Sequence, residues 1–208
     1  MDFSLTKEQK DIKKAAREFA EKEFPLVARE CDENEKMDLS LLKKARELGF
    51  VGVHIPEAYG GFGMSYFDKA LITEEFWRVD PGVGHGILSV AFGSEILIEH
   101  GTEKQKEKYL PPIVQGDAIM AGAITEANAG SDVTMAETRA VKDGNDYVIN
   151  GSKMFITNGS LATALIVYCK TTPEEKNPHR QFSCIIVEPP TKGFEANKLS
   201  NKLGIMGL

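Results

Sequence analysis

Two hydrophobic periods divide the chain. Up to about residue 117 apolar positions recur at three- and four-residue spacing; beyond it they alternate or form short continuous runs. Thr6-x-x-Gln9 has the form of a capping box, and Ile12, Ala15, Ala16, Phe19 and Ala20 follow at helical spacing. Pro25 interrupts that helix or opens the next. A further helix should start near Asp38, carry Leu41, Leu42, Ala45 and Leu48 on one face, and end at Gly49. Phe50 to Ile55 is a short apolar stretch leading to Pro56 and the loop Glu57 to Gly63. Tyr66, Ala70, Leu71, Glu74, Glu75 and Trp77 suggest a helix that closes before Pro81-Gly82. Val83 to Ile98 is apolar almost all round, which predicts one buried helix. Thr102-x-x-Gln105 is another capping box, and Pro111-Pro112 should stop or kink its helix soon afterwards.

In the second half, Ala118 to Thr125 reads as a strand. Glu137 to Lys142 and Tyr147 to Asn150 flank Asp143-Gly144, a hairpin signal, and Asn150-Gly151 marks another turn. Leu161 to Cys169 and Phe182 to Val187 are apolar strands separated by a polar, solvated loop from Thr171 to Arg180. The pattern predicts a multidomain α and β protein: an all-α helical domain over residues 1–117, then an antiparallel β-barrel-like domain over 118–208. There is no βαβ alternation.

Composition narrows the function classes. At 208 residues, 42% hydrophobic and 27% charged, the chain can bury a sizeable core. A formal charge of −6 gives no electrostatic reason to expect nucleic acid or a membrane surface as partner. Cys31, Cys169 and Cys184 are scattered and odd in number, which argues against a disulfide framework, and the latter two sit in apolar runs that predict buried free thiols. The start at Met1-Asp2-Phe3-Ser4 lacks the features of a secretory leader, and no run approaches the roughly 20 apolar residues that span a bilayer. A cytoplasmic, reduced protein is expected.

Several candidate sites fall away. Gly60-Gly61-Phe62-Gly63 lacks phosphate-loop spacing and reads as a turn needing positive φ. His54, His85, His100 and His179 show no metal-ligand spacing, and no G-x-S-x-G elbow offers a serine nucleophile. Two segments remain, Ala123 to Asp132 and Met154 to Gly159. Each ends an apolar run on a small hydroxyl residue, which can offer a hydroxyl and free backbone N–H groups to a flat polar ligand. If Phe155-Ile156-Thr157 is a strand, ring and hydroxyl share a face and address one ligand, as a flavin requires. The same residues also suit an Asx-type loop and a core ring beside a satisfied threonine.

Together, the sequence Ala-Ile-Thr-Glu-Ala-Asn-Ala-Gly-Ser-Asp at 123–132 and Met-Phe-Ile-Thr-Asn-Gly at 154–159 resemble the flavin-binding middle domain of the acyl-CoA dehydrogenase family. Nearly the whole chain aligns with that family's first two domains. The resemblance implies FAD as cofactor, held by Ala123, Ile124, Thr125, Gly130, Ser131, Phe155, Ile156 and Thr157. Backbone groups at Ile124-Thr125 and the Thr125 hydroxyl would meet the pyrimidine edge. Ser131 would also contact the CoA part of the substrate, Phe155 would lie against the flavin ring, and the Thr157 hydroxyl would bond flavin N5. Glu126 and Asp132 read as loop-organising. Met135 departs from the family signature, which has a very small residue there.

The resemblance further implies α,β-dehydrogenation of an acyl-CoA to the 2-enoyl-CoA, with electrons passed to an electron-transfer flavoprotein by a homotetramer or dimer. It places the catalytic base in a helical region beyond Leu208, so no residue of this chain is assigned as catalytic and no metal is expected. The chain would then be a fragment ending at Gly204-Ile205-Met206-Gly207-Leu208, inside the middle domain. An acyl-CoA oxidase or flavin monooxygenase shares the scaffold, and a noncatalytic acyl-CoA-binding module would suit a chain complete at Leu208. Around Trp77-Arg78-Val79-Asp80-Pro81-Gly82-Val83-Gly84, Trp77 and Gly84 stand where glutaryl-specific relatives carry a polar pair, implying an uncharged acyl group.

Overall fold

The computed structural model describes residues 4–205. Met1 to Phe3, read above as carrying no leader, and Met206 to Leu208, part of the expected truncated end, lie outside the described residues. The described residues form two units, residues 4–118 together with 199–205, and residues 119–198.

In the first unit α1 (Lys7–Glu23) starts at Thr6, whose hydroxyl accepts from the Gln9 N–H while the Gln9 side chain accepts from the Thr6 N–H. Pro25 sits in a short 3-10 turn, Phe24–Leu26, that ends α1 and leads to α2 (Ala28–Glu33). The Asp38 carboxylate caps α3 (Leu39–Glu47), and Gly49, at φ +80°, follows its end. Ser65 forms a second capping box on α4 (Tyr66–Val79). Phe19, Phe24, Phe50 and Phe76 form the aromatic centre, with ring centroids 5.1–5.8 Å apart. Tilted and edge-on rings of this kind add to the hydrophobic gain.

The apolar run from Val83 is not one helix but two. α5 (Pro81–Leu88) ends at Ser89, and α6 (Ser94–His100) begins after Gly93, whose φ of +103° no continuous helix accommodates. α5 buries Val83, Gly84, Gly86 and Ile87, whereas α6 buries only Ser94 and Leu97, so the apolar run signalled burial for the first piece, only in part for the second, and concealed the break. α7 (Glu103–Gln115), begun by the Thr102 capping box, does not stop at Pro111-Pro112. Proline φ is helical and the two missing donors fall late in the helix, which closes at Gly116 with φ +79°. The Gly60 loop needs its glycines: φ is +87° at Gly60, and a Cβ on Gly61 would lie 2.0 Å from the Ile55 carbonyl oxygen.

The second unit holds a five-stranded sheet, β1 (Met120–Ala123), β2 (Arg139–Asp143), β3 (Asp146–Asn150), β4 (Ala164–Lys170) and β5 (Phe182–Val187). β2 and β3 pair antiparallel with Asp143 opposite Asp146, so the hairpin forms as expected but its two-residue turn is Gly144-Asn145, one residue beyond the Asp143-Gly144 signal. The sheet is mixed rather than all antiparallel. β5 runs antiparallel along β4 from Leu165↔Val187 to Lys170↔Phe182. β1 runs parallel to it from Met120↔Ala164 to Ala123↔Val167, and β2 meets it through Arg139↔Lys170. β1 and β2 therefore follow one another along the edge of β4 opposite β5, an arrangement that local alternation cannot reveal. β4 starts three residues later than expected, at Ala164, because Leu161 and Ala162 bond back to the Asn158 carbonyl. Cys169 is buried, but Cys184 is exposed: it lies on the sheet face that Tyr168 and Phe182 only half cover. No helix among the described residues is long and apolar enough to cross a membrane.

Candidate cofactor-binding site

The site is built where β1 ends. Ala121 and Ala123 share a strand face and pack with Leu165, Val167 and Ala162, so the last residue of β1 is anchored in the core. The chain then emerges as Ile124-Thr125 and turns back on itself, with the Glu126 N–H donating to the Ala129 carbonyl at 3.0 Å and the Ala129 N–H returning to Glu126 at 3.2 Å. Gly130 and Ser131 follow on the surface. A Cβ on Gly130 would meet nothing within 4 Å, so the protein itself leaves this position open.

The second segment comes to the first directly. The Met154 N–H donates to the Thr125 carbonyl at 2.9 Å. The Lys153 ammonium donates to the Ile124 carbonyl at 2.8 Å and to the Glu126 carboxylate at 2.7 Å. Glu126 also accepts the Glu137 and Thr138 N–H groups at 2.7 and 3.0 Å. Burial opposes its charge, yet Lys153 and the two N–H groups outweigh it and hold the carboxyl down at about 2. Glu126 therefore organises three segments of chain. Asp132 does the same on a smaller scale, accepting the Thr134 N–H at 3.0 Å and its hydroxyl at 2.5 Å. Met135 ends that turn with its side chain exposed.

Phe155-Ile156-Thr157 is not a strand. Phe155 has φ +58° and Asn158 φ +62°, so the backbone turns twice, and the Gly159 N–H closes onto the Ile156 carbonyl at 3.0 Å. Left-handed backbone is ordinary for Asn158 but rare for a bulky aromatic, at a cost of order 1–3 kcal/mol. Ile156 packs against the β1–β4 core and fixes the turn, while Phe155 stands 70% exposed. Ring and hydroxyl are thus presented by a turn, not by the i, i+2 face of a strand.

The resulting surface has a definite polarity. The carbonyls of Ile124 and Thr125 are both already occupied, by Lys153 and Met154. The hydroxyls of Thr125, Ser131 and Thr157 make no hydrogen bond with another described residue. The three hydroxyls are left to donate, while the Ile124 and Thr125 carbonyls are not left to accept. Lys153 was missed in the sequence; its signal was a lone cation between Gly151-Ser152 and the apolar Met154-Phe155.

In the helical unit, the Trp77 ring stands edge-on to His85 at 5.8 Å and remains 41% exposed. Gly84 allows α4 and α5 to approach: a Cβ there would lie 2.9 Å from that of Phe76. Arg78 donates to Glu21 at 2.5 Å and to Glu75 at 3.3 Å. Glu75, 1% exposed, also takes a two-pronged bond from Arg17 at 2.7 and 2.8 Å, which holds its carboxyl at about 2. His54 is buried beside Ser94, 2.9 Å from its hydroxyl, and burial keeps its imidazole down at about 4.

Family models for the acyl-CoA dehydrogenase N-terminal domain and middle domain match residues 6–117 and 121–208. The chain belongs to the acyl-CoA dehydrogenase family. It is 40% identical over 207 residues to the short-chain-specific acyl-CoA dehydrogenase of Clostridium acetobutylicum, covering 99% of this chain and 54% of that protein. A chain in the structure of the electron transferring flavoprotein of Acidaminococcus fermentans is 38% identical, with a TM-score of 0.89, covering 100% of this chain and 54% of that one. Glutaryl-CoA dehydrogenase of Mycobacterium smegmatis, solved in complex with FADH2, is 30% identical with a TM-score of 0.87, over 97% of this chain and 50% of that one. The chain spans about half the length of the relatives it matches. In the terms of that family, segments 123–131 and 153–157 lie within the middle domain.

Proposed function

We propose that this chain contributes the flavin-holding face of an FAD-dependent acyl-CoA dehydrogenase. One observation carries the reading: two segments separated by the β2–β3 hairpin are joined backbone to backbone, with the Ile124 and Thr125 carbonyls occupied and the Thr125, Ser131 and Thr157 hydroxyls making no hydrogen bond with another described residue. The pyrimidine edge of an isoalloxazine is rich in acceptors and seeks donors of this kind. Bound FAD supplies the hydride acceptor for removal of hydrogen from the β carbon of an acyl thioester. Thr125 and the N–H groups around it hold the pyrimidine edge, and the Thr157 hydroxyl donates towards the reactive ring nitrogen. Phe155 covers the ring and excludes water, its left-handed backbone being the strain that aims it. Gly130 and Ser131 hold cofactor and CoA where a Cβ on Gly130 would meet no described atom within 4 Å.

The acyl group is uncharged, the electron acceptor is an electron-transfer flavoprotein, and the working enzyme is a homo-oligomer. Identity to a short-chain-specific enzyme supports the first of these. The full gene product should purify yellow with stoichiometric noncovalent FAD and bleach anaerobically with butyryl-CoA. Purified protein that shows no flavin absorbance and takes up no FAD would overturn the reading.

A further inference from the structure

We propose that Lys153 is a positioning residue for the flavin, a strut that sets the direction in which Ile124 and Thr125 face, and not only one half of a buried ion pair. The proposal rests on the flavin reading above and adds to it the device that keeps the site selective for acceptors. The Lys153 side chain is 9% exposed and that of Glu126 6%, so the pair is sheltered from solvent. Were charge neutralisation its whole role, a bond to Glu126 alone would suffice. Its ammonium instead divides its donors between the carboxylate at 2.7 Å and the Ile124 carbonyl at 2.8 Å. The second bond matters because a peptide plane is rigid: fixing the Ile124 carbonyl fixes the direction of the Thr125 N–H on the same plane. The Met154 N–H, on the residue next to Lys153, fixes the following plane through the Thr125 carbonyl. Two successive peptide planes at the end of β1 are thus aimed from one place in the second segment. Without the strut, the Ile124 carbonyl is free to turn and present an acceptor to an edge that is itself rich in acceptors. The same two residues carry the chain into Phe155, so displacement of Lys153 would be felt in both segments that would hold the cofactor.

Three variants of the full gene product separate this role from a purely structural one, with FAD affinity of the apoprotein read by quenching of flavin fluorescence and stability by melting of the same apoprotein. Lys153→Met leaves a buried carboxylate without its cation and should lower both. Lys153→Met with Glu126→Gln removes both charges and keeps an acceptor for the Glu137 and Thr138 N–H groups. It should melt close to wild type and still bind FAD about tenfold or more weakly, the scale of one lost charge-assisted hydrogen bond. Glu126→Gln alone retains the Lys153 bond to Ile124, so it should lose stability and keep FAD affinity within about threefold. This variant decides the question should the double variant not fold: affinity falling in step with stability would mean that only the ion pair counts. A stable double variant that binds FAD as tightly as wild type overturns the proposal alone. Wild-type protein that binds no FAD removes the flavin reading and this proposal with it.

Discussion

The Met154 N–H donates to the Thr125 carbonyl at 2.9 Å, and this bond turns two distant stretches of chain into one surface. Between them lies the β2–β3 hairpin, whose two-residue turn fixes its register and so fixes how far apart its ends stand. A change in hairpin length would move Lys153 and Met154 away from the end of β1 and release the Ile124 and Thr125 carbonyls.

From that surface, Thr157→Val should preserve the fold and most FAD binding while slowing flavin reduction. The hydroxyl makes no hydrogen bond with another described residue, so removing it leaves no protein group unpaired. Loss of one hydrogen bond to the cofactor is worth about 1–3 kcal/mol, or roughly ten- to a hundredfold in rate. Anaerobic bleaching of the variant at wild-type rate would remove this role from Thr157.

Gly84→Ala should destabilise the helical unit although it places a better helix former in α5. The gain in propensity is about 1 kcal/mol. Against it, the new methyl would lie 2.9 Å from the Phe76 Cβ and 3.2 Å from its carbonyl carbon, neither of which can move without shifting α4. Overpacking of this kind costs about 1–3 kcal/mol. A melting temperature below wild type is expected; an increase would show that the two helices yield.

Acid should weaken the helical unit through Glu75. Its carboxyl titrates near 2 in the folded protein, well below the unfolded value of 4.5, because the Arg17 bond outweighs burial. A depressed folded value means that the charged form is stabilising. That stability is complete above the unfolded value and is lost as pH falls from about 4.5 towards 2. The shift corresponds to about 3 kcal/mol. Urea midpoints measured at pH 3 and pH 6 should differ less in Glu75→Gln than in wild type, and equal differences would mean that Glu75 does not drive the acid response.

Much of this architecture was legible in the sequence because its signals are local. Thr6, Asp38 and Thr102 announce helix starts through side chains that bond within three residues of themselves. Asp143-Gly144 announces its hairpin for the same reason. What escaped was non-local or conformational. The parallel pairing of β1 with β4 depends on residues 40 or more positions apart, and the break between α5 and α6 spans Ser89 to Gly93, with its positive backbone angle only at Gly93. At the candidate site, the resemblance named Ala123, Ile124, Thr125, Gly130, Ser131, Phe155, Ile156 and Thr157, but not the cation that joins their segments. Lys153 resembles any solvated lysine until the fold places Glu126 and the Ile124 carbonyl around it.

The full-length enzyme should prefer an uncharged acyl-CoA to a dicarboxylyl-CoA. The resemblance assigns the acyl end of the cavity to the helices that carry Trp77 and Gly84. Trp77 offers an aromatic wall, and Gly84 can offer no side chain without displacing Phe76. Arg78 is the cation adjacent in sequence, but it is held by Glu21 at 2.5 Å and Glu75 at 3.3 Å. Drawing it towards a substrate carboxylate would break two ion pairs to make one. A carboxylate buried without a partner costs several kcal/mol, which lowers the specificity constant by about two decades or more. Butyryl-, isovaleryl-, cyclohexanecarboxyl- and glutaryl-CoA, compared with an artificial electron acceptor, test this directly. Glutaryl-CoA turning over fastest would mean that Arg78 leaves Glu21 and Glu75 for the substrate, or that a cation outside residues 4–205 holds the distal carboxylate. In Arg78→Met the preference for uncharged chains should persist, because the guanidinium was never free to take part.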